Sequence, residues 1–272
     1  MTSSFSNRMQ HTDWIEPHSR AWYEQLAGEY GEYAYPWKSE FDEPTAETMF
    51  GQRLEARIGE HTRLLDVGCG HGDFLHRWAG HAMEAVGIDV VEPFIATANR
   101  RRLQPSHRFL TVDVNEGLPF EDGYFDMVSS KKGPWLYRKS GGEGRRVIKP
   151  GGTVLHLMHG GTDGGLRALF PDLYTPVPPF DKQRSLQHVA KQLELAESGL
   201  TDMEIEVVEE VEYLSRPIDV LIKKYFGQSR ALREQVWRER LAGVEEVFHK
   251  HATARGLQVT NVYYIVTGRV PF

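Results

Sequence analysis

The sequence is short of cysteine: of its 272 residues, only Cys69 carries a thiol. No disulfide can close within the chain, and the expectation is a reducing, cytoplasmic compartment. Long apolar runs are also missing, so no segment is expected to span a bilayer. Met1 to Gln10 is polar and lacks the apolar centre of a secretion signal. Basic charge is in deficit, with 32 Lys and Arg against 38 Asp and Glu and a formal charge of −6. That balance disfavours a broad nucleic-acid footprint. Histidines occur in short pairs, His156 with His159 and His249 with His251, but no ligand set completes either, so no metal is expected. What remains is ordinary globular material, 40% hydrophobic and 26% charged, long enough for one α/β domain with additions.

The chain is organised around Arg63-Leu64-Leu65-Asp66-Val67-Gly68-Cys69-Gly70-His71-Gly72-Asp73-Phe74. Leu64, Leu65 and Val67 suit a strand buried on both faces, as in a parallel sheet. Gly68, Gly70 and Gly72 permit a tight turn whose backbone can approach a ligand without a Cβ in the way. A helix-like pattern with Phe74, Leu75 and Trp78 follows, so the stretch reads as a nucleotide-binding corner at the carboxyl end of a sheet. A dinucleotide fingerprint would read G-x-G-x-x-G and place a pyrophosphate on the helix N-terminus. Here the spacing is G-x-G-x-G and Asp66 precedes it, which repels a pyrophosphate and favours a cationic ligand.

Ala85 to Asp89 reads as the second parallel strand, and it ends in a carboxylate one βαβ step beyond Asp66. An acid at that place accepts hydrogen bonds from ribose hydroxyls in many nucleotide sites. A helix over Pro93 to Arg102, a third strand over Arg108 to Val112 and the sequence Asp113-Val114-Asn115 come next. Leu118-Pro119-Phe120 leads through Phe125-Asp126-Met127-Val128 into a fourth strand. Val147-Ile148-Lys149-Pro150-Gly151-Gly152 forms a turn before a fifth, Thr153 to Met158, because proline ends a helix and the glycines allow a sharp return.

D-V-G-C-G-H-G resembles motif I of the class I S-adenosylmethionine-dependent methyltransferases, and the LPF…FD-x-V and K-P-G-G stretches resemble later motifs of that family. The resemblance covers roughly residues 60–160. It implies a doubly wound, seven-stranded Rossmann-like α/β sheet with S-adenosyl-L-methionine at the strand carboxyl ends. It also implies cofactor contacts from Asp66, Gly68, Cys69, Gly70, Asp89, Val90, Phe94, Asp113, Val114, Asn115 and Ser130. Asp66 would act on the methionine ammonium directly or through water, and Asp113 would meet the adenine amino group.

Residues 1–59 read as an N-terminal segment of helix and aromatics, with 60–272 as the methyltransferase domain. Helices are expected from about His18 and over Thr45 to Gly59. Tyr30, Tyr33, Tyr35 and Trp37 carry two readings: rings packed on the sheet domain, or a lid whose faces favour a sulfonium by cation–π attraction. The resemblance implies the lid for Tyr33 and Trp37. Met203 to Val208 and Val262 to Thr267 are β-rich and would be the last two strands. The forty-odd residues between them suit two helices, a cap over about 215–256 serving either the substrate or dimerisation.

Lys131 is a candidate partner for a substrate acid, and His159 with Asp163 a candidate general base. The expected function is methyl transfer to an N or O atom of a small molecule or short peptide. An RNA or protein methyltransferase is the rival within the class. A non-enzymatic S-adenosylmethionine-binding regulatory protein is the rival outside it. The oligomeric state is not readable from the sequence.

Overall fold

In the computed structural model the described residues are 13–138, 143–160, 164–174 and 180–272. The elements run α1 (Arg20–Tyr30), β1 (Ser39–Phe41), α2 (Ala46–Glu55), β2 (Arg63–Val67), α3 (Asp73–Trp78), β3 (Glu84–Asp89), α4 (Glu92–Arg100), β4 (His107–Thr111) and β5 (Phe125–Lys131). They continue with α5 (Glu143–Arg146), β6 (Ile148–His159), α6 (Leu166–Leu169), α7 (Lys182–Gln192), β7 (Thr201–Leu214), α8 (Pro217–Lys224), α9 (Arg230–His251) and β8 (Leu257–Arg269). The strands form one sheet in the order β1-β7-β8-β6-β5-β2-β3-β4. Pairs β2–β3, β3–β4, β2–β5 and β5–β6 are parallel, whereas β6–β8 and β1–β7 are antiparallel. The chain winds outward from β2 through β4, then returns to lay β5 on the other side of β2. The carboxyl ends of β2 and β5 therefore flank the switch point, where open α/β sheets bind ligands.

The sheet has eight strands, not the seven expected. The extra one is β1, in the stretch read from sequence as aromatic lid. It forms because β7 is a fourteen-residue strand, longer than Met203 to Val208, and its far end offers an edge to Ser39, Glu40 and Phe41. The K-P-G-G motif lies inside β6 instead of before it. Gly151 at φ 75 and a register shift between Phe125 and Met127 absorb the bend without ending the strand.

The chain divides into two compact units. One comprises Ala46–Gly160, Asp181–Val208 and Tyr263–Phe272. Its core lies on both faces of the central strands, with Leu64, Phe74, Met127 and Leu155 in one cluster and Leu65, Val86, Val128 and Val154 in another. That alternation of neighbouring residues between clusters is the two-residue period of strands buried on both sides. The other unit comprises Met1–Thr45, Gly161–Phe180 and Glu209–Val262. Its core gathers Phe170, Tyr174, Val220, Leu221, Val236, Val244 and Phe248. Ser19 caps α1 by accepting from Trp22 N, and Ser229 caps α9 by accepting from Leu232 N. The compact units meet in sequence at Thr45, and α2, which follows, buries Phe50 and Leu54 in the sheet unit's core. The two helices expected over 215–256 are α8 and α9. Among the described residues no helix is long and apolar enough to cross a membrane.

Candidate cofactor and acceptor site

The loop between β2 and α3 is held from behind. Gly68 N and Cys69 N both donate to Ile88 O, at 2.8 and 3.0 Å, and Gly72 N donates to Cys69 O. Gly68, Gly70 and Gly72 have φ of 76, 56 and 88°, a left-handed region that favours glycine. Their reasons differ. A Cβ at Gly68 would lie 2.9 Å from Gly133 Cα, and one at Gly72 would strike the Phe109 ring. A Cβ at Gly70 would meet nothing within 4 Å. Gly68 and Gly72 are small because protein packs on them, whereas Gly70 keeps an open face.

Asp89, at the end of β3, faces this loop. Its Oδ2 accepts from Gly70 N and its Oδ1 from Val91 N, each at 2.9 Å. Burial raises its pKa, and the Val91, Gly70 and Val90 amides only partly offset that. Val112 N donates to Asp89 O, which brings the exit of β4 alongside. There Asp113 Oδ1 accepts from Asn115 N and Asn115 Nδ2, a tight turn that fixes Asp113, Val114 and Asn115 as one piece.

Asp66 is 1% exposed and accepts from Ser129 Oγ at 2.7 Å. Burial raises its pKa to about 6, although Ser129 and Lys131 pull the other way. So deep a carboxylate acts on a ligand through the field it sets up or through an intermediary, and direct contact is the less suitable of the two expected routes. Cys69 sits within the core cluster with its thiol 2.8 Å from where a Cβ of Gly87 would fall. Burial, then Asp66 and Asp89, push that thiol well above its ordinary value. Its side chain is packing material. Phe94 is likewise buried, in α4, with His71 edge-on at 6.4 Å.

The Ser130 hydroxyl donates to Val67 O at 2.9 Å, so it clamps β5 to β2 beneath the glycine loop. Beyond it the chain turns at Lys132, φ 62, and delivers Gly133 onto Gly68. A Cβ at Gly133 would lie 2.3 Å from Val67 O. Gly133 and Ser129 were missed by the sequence reading, and the Gly133-Pro134 pair immediately after a strand was the available signal.

Lys131, the candidate partner for a substrate acid, is half-buried and pairs its ammonium with Glu47 at 2.7 Å. His159, exposed at the end of β6, lies edge-on to Tyr263 at 5.1 Å. Asp163 lies outside the described residues. His156 is buried under Trp135, its Nδ1 without a hydrogen-bond partner among the described residues, and burial lowers its pKa to about 4. In the other unit, Tyr33 packs among Trp22, Tyr23, Tyr35 and Phe226 with centroids 5.5 to 6.1 Å apart. Trp37 donates to Glu212 at 2.8 Å and lies under Lys223. These partners all lie within the same unit as the two rings.

Three comparisons bear on this geometry. The family described as Methyltransferase domain matches residues 64–152, a span that holds the glycine loop, Asp89 and Asp113. The malonyl-acyl-carrier-protein O-methyltransferase of Erwinia pyrifoliae is 38% identical over 126 residues, 43% of this chain and 45% of that protein. The demethylmenaquinone methyltransferase of Staphylococcus saprophyticus is 31% identical over 109 residues, 38% of this chain and 47% of that protein. The chain thus spans about half the length of the curated relatives it matches. A functionally unknown protein from Deinococcus radiodurans has the same fold, with a TM-score of 0.59 at 19% identity, over 91% of this chain and 98% of that one. Residues 64–152 are thus similar to a methyltransferase domain and lie in a Rossmann-like sheet.

Proposed function

We propose that the protein transfers a methyl group from S-adenosylmethionine to an N or O atom of a small molecule or short peptide. The observation that carries the reading is the open face of Gly70, framed by the Asp89 carboxylate and backed by buried Asp66. A cradle that a Cβ would fill, with two carboxylates around it, fits a ligand that brings ribose hydroxyls and positive charge and rejects a pyrophosphate. When bound, the cofactor supplies an electrophilic methyl group on a sulfonium.

Each residue then has a definite task. Asp89 accepts from ribose hydroxyls with the lone pairs that Gly70 N and Val91 N leave available. Asp66 places negative charge behind the loop, and Ser129 fixes its carboxylate. Asp113 and Val114 supply a polar edge and an apolar face for a purine. Methyl displacement is in-line, so alignment in a dry pocket can supply much of the rate.

Thermal unfolding with S-adenosylmethionine, S-adenosylhomocysteine and NAD in parallel tests the reading. A ligand present at one hundred times its dissociation constant stabilises the native state by about 2.7 kcal/mol. The adenosyl compounds should shift the transition and NAD should not; a shift with NAD alone would overturn the assignment. Transfer of labelled methyl to any acceptor would separate an enzyme from a cofactor-binding regulator.

A further inference from the structure

Two histidines behind the glycine loop make a contact that the cofactor reading leaves unused. His76 lies in α3 and His107 opens β4, both within the sheet unit. Their Nδ1 atoms are 3.2 Å apart, and the rings stack with centroids at 5.3 Å. His107 is fully buried, and its Nε2 lies 3.3 Å from Ala79 O. A carbonyl oxygen only accepts, so His107 Nε2 carries the proton, and Nδ1 is bare when the ring is neutral. His76 Nδ1 is then the donor between the rings. A single proton fits there.

The contact sits where two parts of the corner join. His76 N donates to Gly72 O at 3.1 Å, and its ring stands edge-on to Phe109 at 5.3 Å. Phe109, on β4, is the ring against which Gly72 packs, and β4 leads on to Asp113. The pair therefore ties the helix that follows the glycine loop to the strand that delivers Asp113. Burial disfavours a charged His76, and Asp73 and the Ala98 carbonyl offset only part of that. Burial lowers the pKa of His107 as well; the Ala79 carbonyl opposes this and His76 adds to it. Arg77 and Arg101 line the same surface depression as Asp73 and His76.

We propose that the His76–His107 pair is a two-proton latch on the cofactor corner, closed when neutral or singly charged and open when both rings are charged; the identity of the corner's ligand rests on the methyltransferase reading. The first added proton goes to His76 Nε2 and leaves the Nδ1 contact intact. The second must go to His107 Nδ1, where it meets the His76 N–H head-on between two like charges. The rings then part, and α3 and the glycine loop lose their hold on β4. Both folded pKa values lie below the ordinary 6.5, so the closed pair's contribution to the fold is complete above pH 6.5 and is lost as pH falls through them. Acid thus loosens cofactor binding by opening the corner, without either ring touching the ligand.

The test is calorimetric titration of the full chain with S-adenosylhomocysteine at pH 7.5 and at about pH 5, for wild type, His76→Asn and His107→Gln. Asparagine at 76 keeps a partner for His107 Nδ1 and cannot titrate; glutamine at 107 keeps a donor for Ala79 O. Protonation of Asp66 and Asp89 weakens binding in all three proteins alike. Wild type should lose at least about tenfold more affinity than either variant on acidification. Nitrogen NMR of the ligand-free wild type should show the second ring taking its proton together with displaced α3 and β4 backbone signals. Equal losses in wild type and variants, or two charged rings with those signals in place, would overturn the latch. Failure of S-adenosylhomocysteine to bind wild type at pH 7.5 would instead overturn the methyltransferase reading, and the ligand-free spectra would still score the latch.

Discussion

Two buried carboxylates, one in each unit, show how burial can serve opposite ends. Glu212, on β7 in the helical unit, is fully buried and receives Lys223 Nζ, Asn261 Nδ2 and Trp37 Nε1, at 2.7, 2.7 and 2.8 Å. Burial would raise its pKa, but those three donors hold it below its ordinary value. Asp66 is almost as deep and has one hydroxyl donor, and its pKa rises to about 6. Glu212 is satisfied by its own protein. Asp66 is left with uncompensated charge, which a cationic ligand would compensate. An acid whose environment has not been completed by the chain itself is the better pointer to a site.

The largest effect should come from removing the satisfied acid. Glu212→Ala leaves a partly buried ammonium, an indole N–H and a buried amide without their acceptor, and should destabilise by about 3–5 kcal/mol. Urea denaturation followed by circular dichroism would measure it. A loss below about 1 kcal/mol would dissolve the contrast, because single surface ion pairs give that much.

Next comes Asp89→Ala, at the mixed case: two backbone donors, yet a pKa raised by burial. S-adenosylhomocysteine affinity should fall by roughly 1.5–3 kcal/mol if the carboxylate holds the ribose. Unchanged affinity in a folded variant would remove Asp89 from the site.

Asp66→Asn sharpens the comparison because its sign is reversed. A carboxylate with a folded pKa near 6, above its ordinary 3.8, favours the fold most below 3.8 and loses that contribution as pH rises through 6. The amide should therefore stabilise the ligand-free protein at pH 7.5 by on the order of 2 kcal/mol, and give no gain at pH 3.5. It should weaken cofactor binding at the same time. Glu212 runs the other way: its contribution is full above 4.5 and is lost as pH falls through its lowered folded value. Thermal melts of wild type and both variants across that range would separate the two slopes.

The sheet unit was legible because each of its motifs has a local cause. Val67 ends a buried strand, the glycines make the turn, and Asp126 ties Arg63 N to the Lys149 ammonium, which explains the FD and K-P-G-G pairing. The setting of Lys131 was not legible, for an opposite reason. Lys131 and Lys132 are adjacent in sequence, and only the left-handed turn and the position of Glu47 separate their environments. Strand β1 escaped notice because three residues carry no period of their own; β7 supplies the reason for them. The Glu212 network joins residues 37, 212, 223 and 261, whose proximity no local pattern encodes.

The smallest effect on stability should belong to Gly70→Ala, and it is the most discriminating of the set. Alanine at Gly68 or Gly72 strikes Gly133 or Phe109, so those changes perturb the fold whether or not a ligand binds there. At Gly70 a Cβ meets only open space, and the left-handed backbone alone resists it, at about 1 kcal/mol. The variant should therefore fold, with a melting temperature a few degrees lower. If the open face is where the cofactor lies, the same Cβ intrudes on it and S-adenosylhomocysteine affinity should drop by about tenfold or more, the equivalent of 1.4 kcal/mol. A variant that melts lower yet binds S-adenosylhomocysteine like wild type would mean that Gly70 is small for the turn alone, and the ligand would have to approach Asp89 from another side.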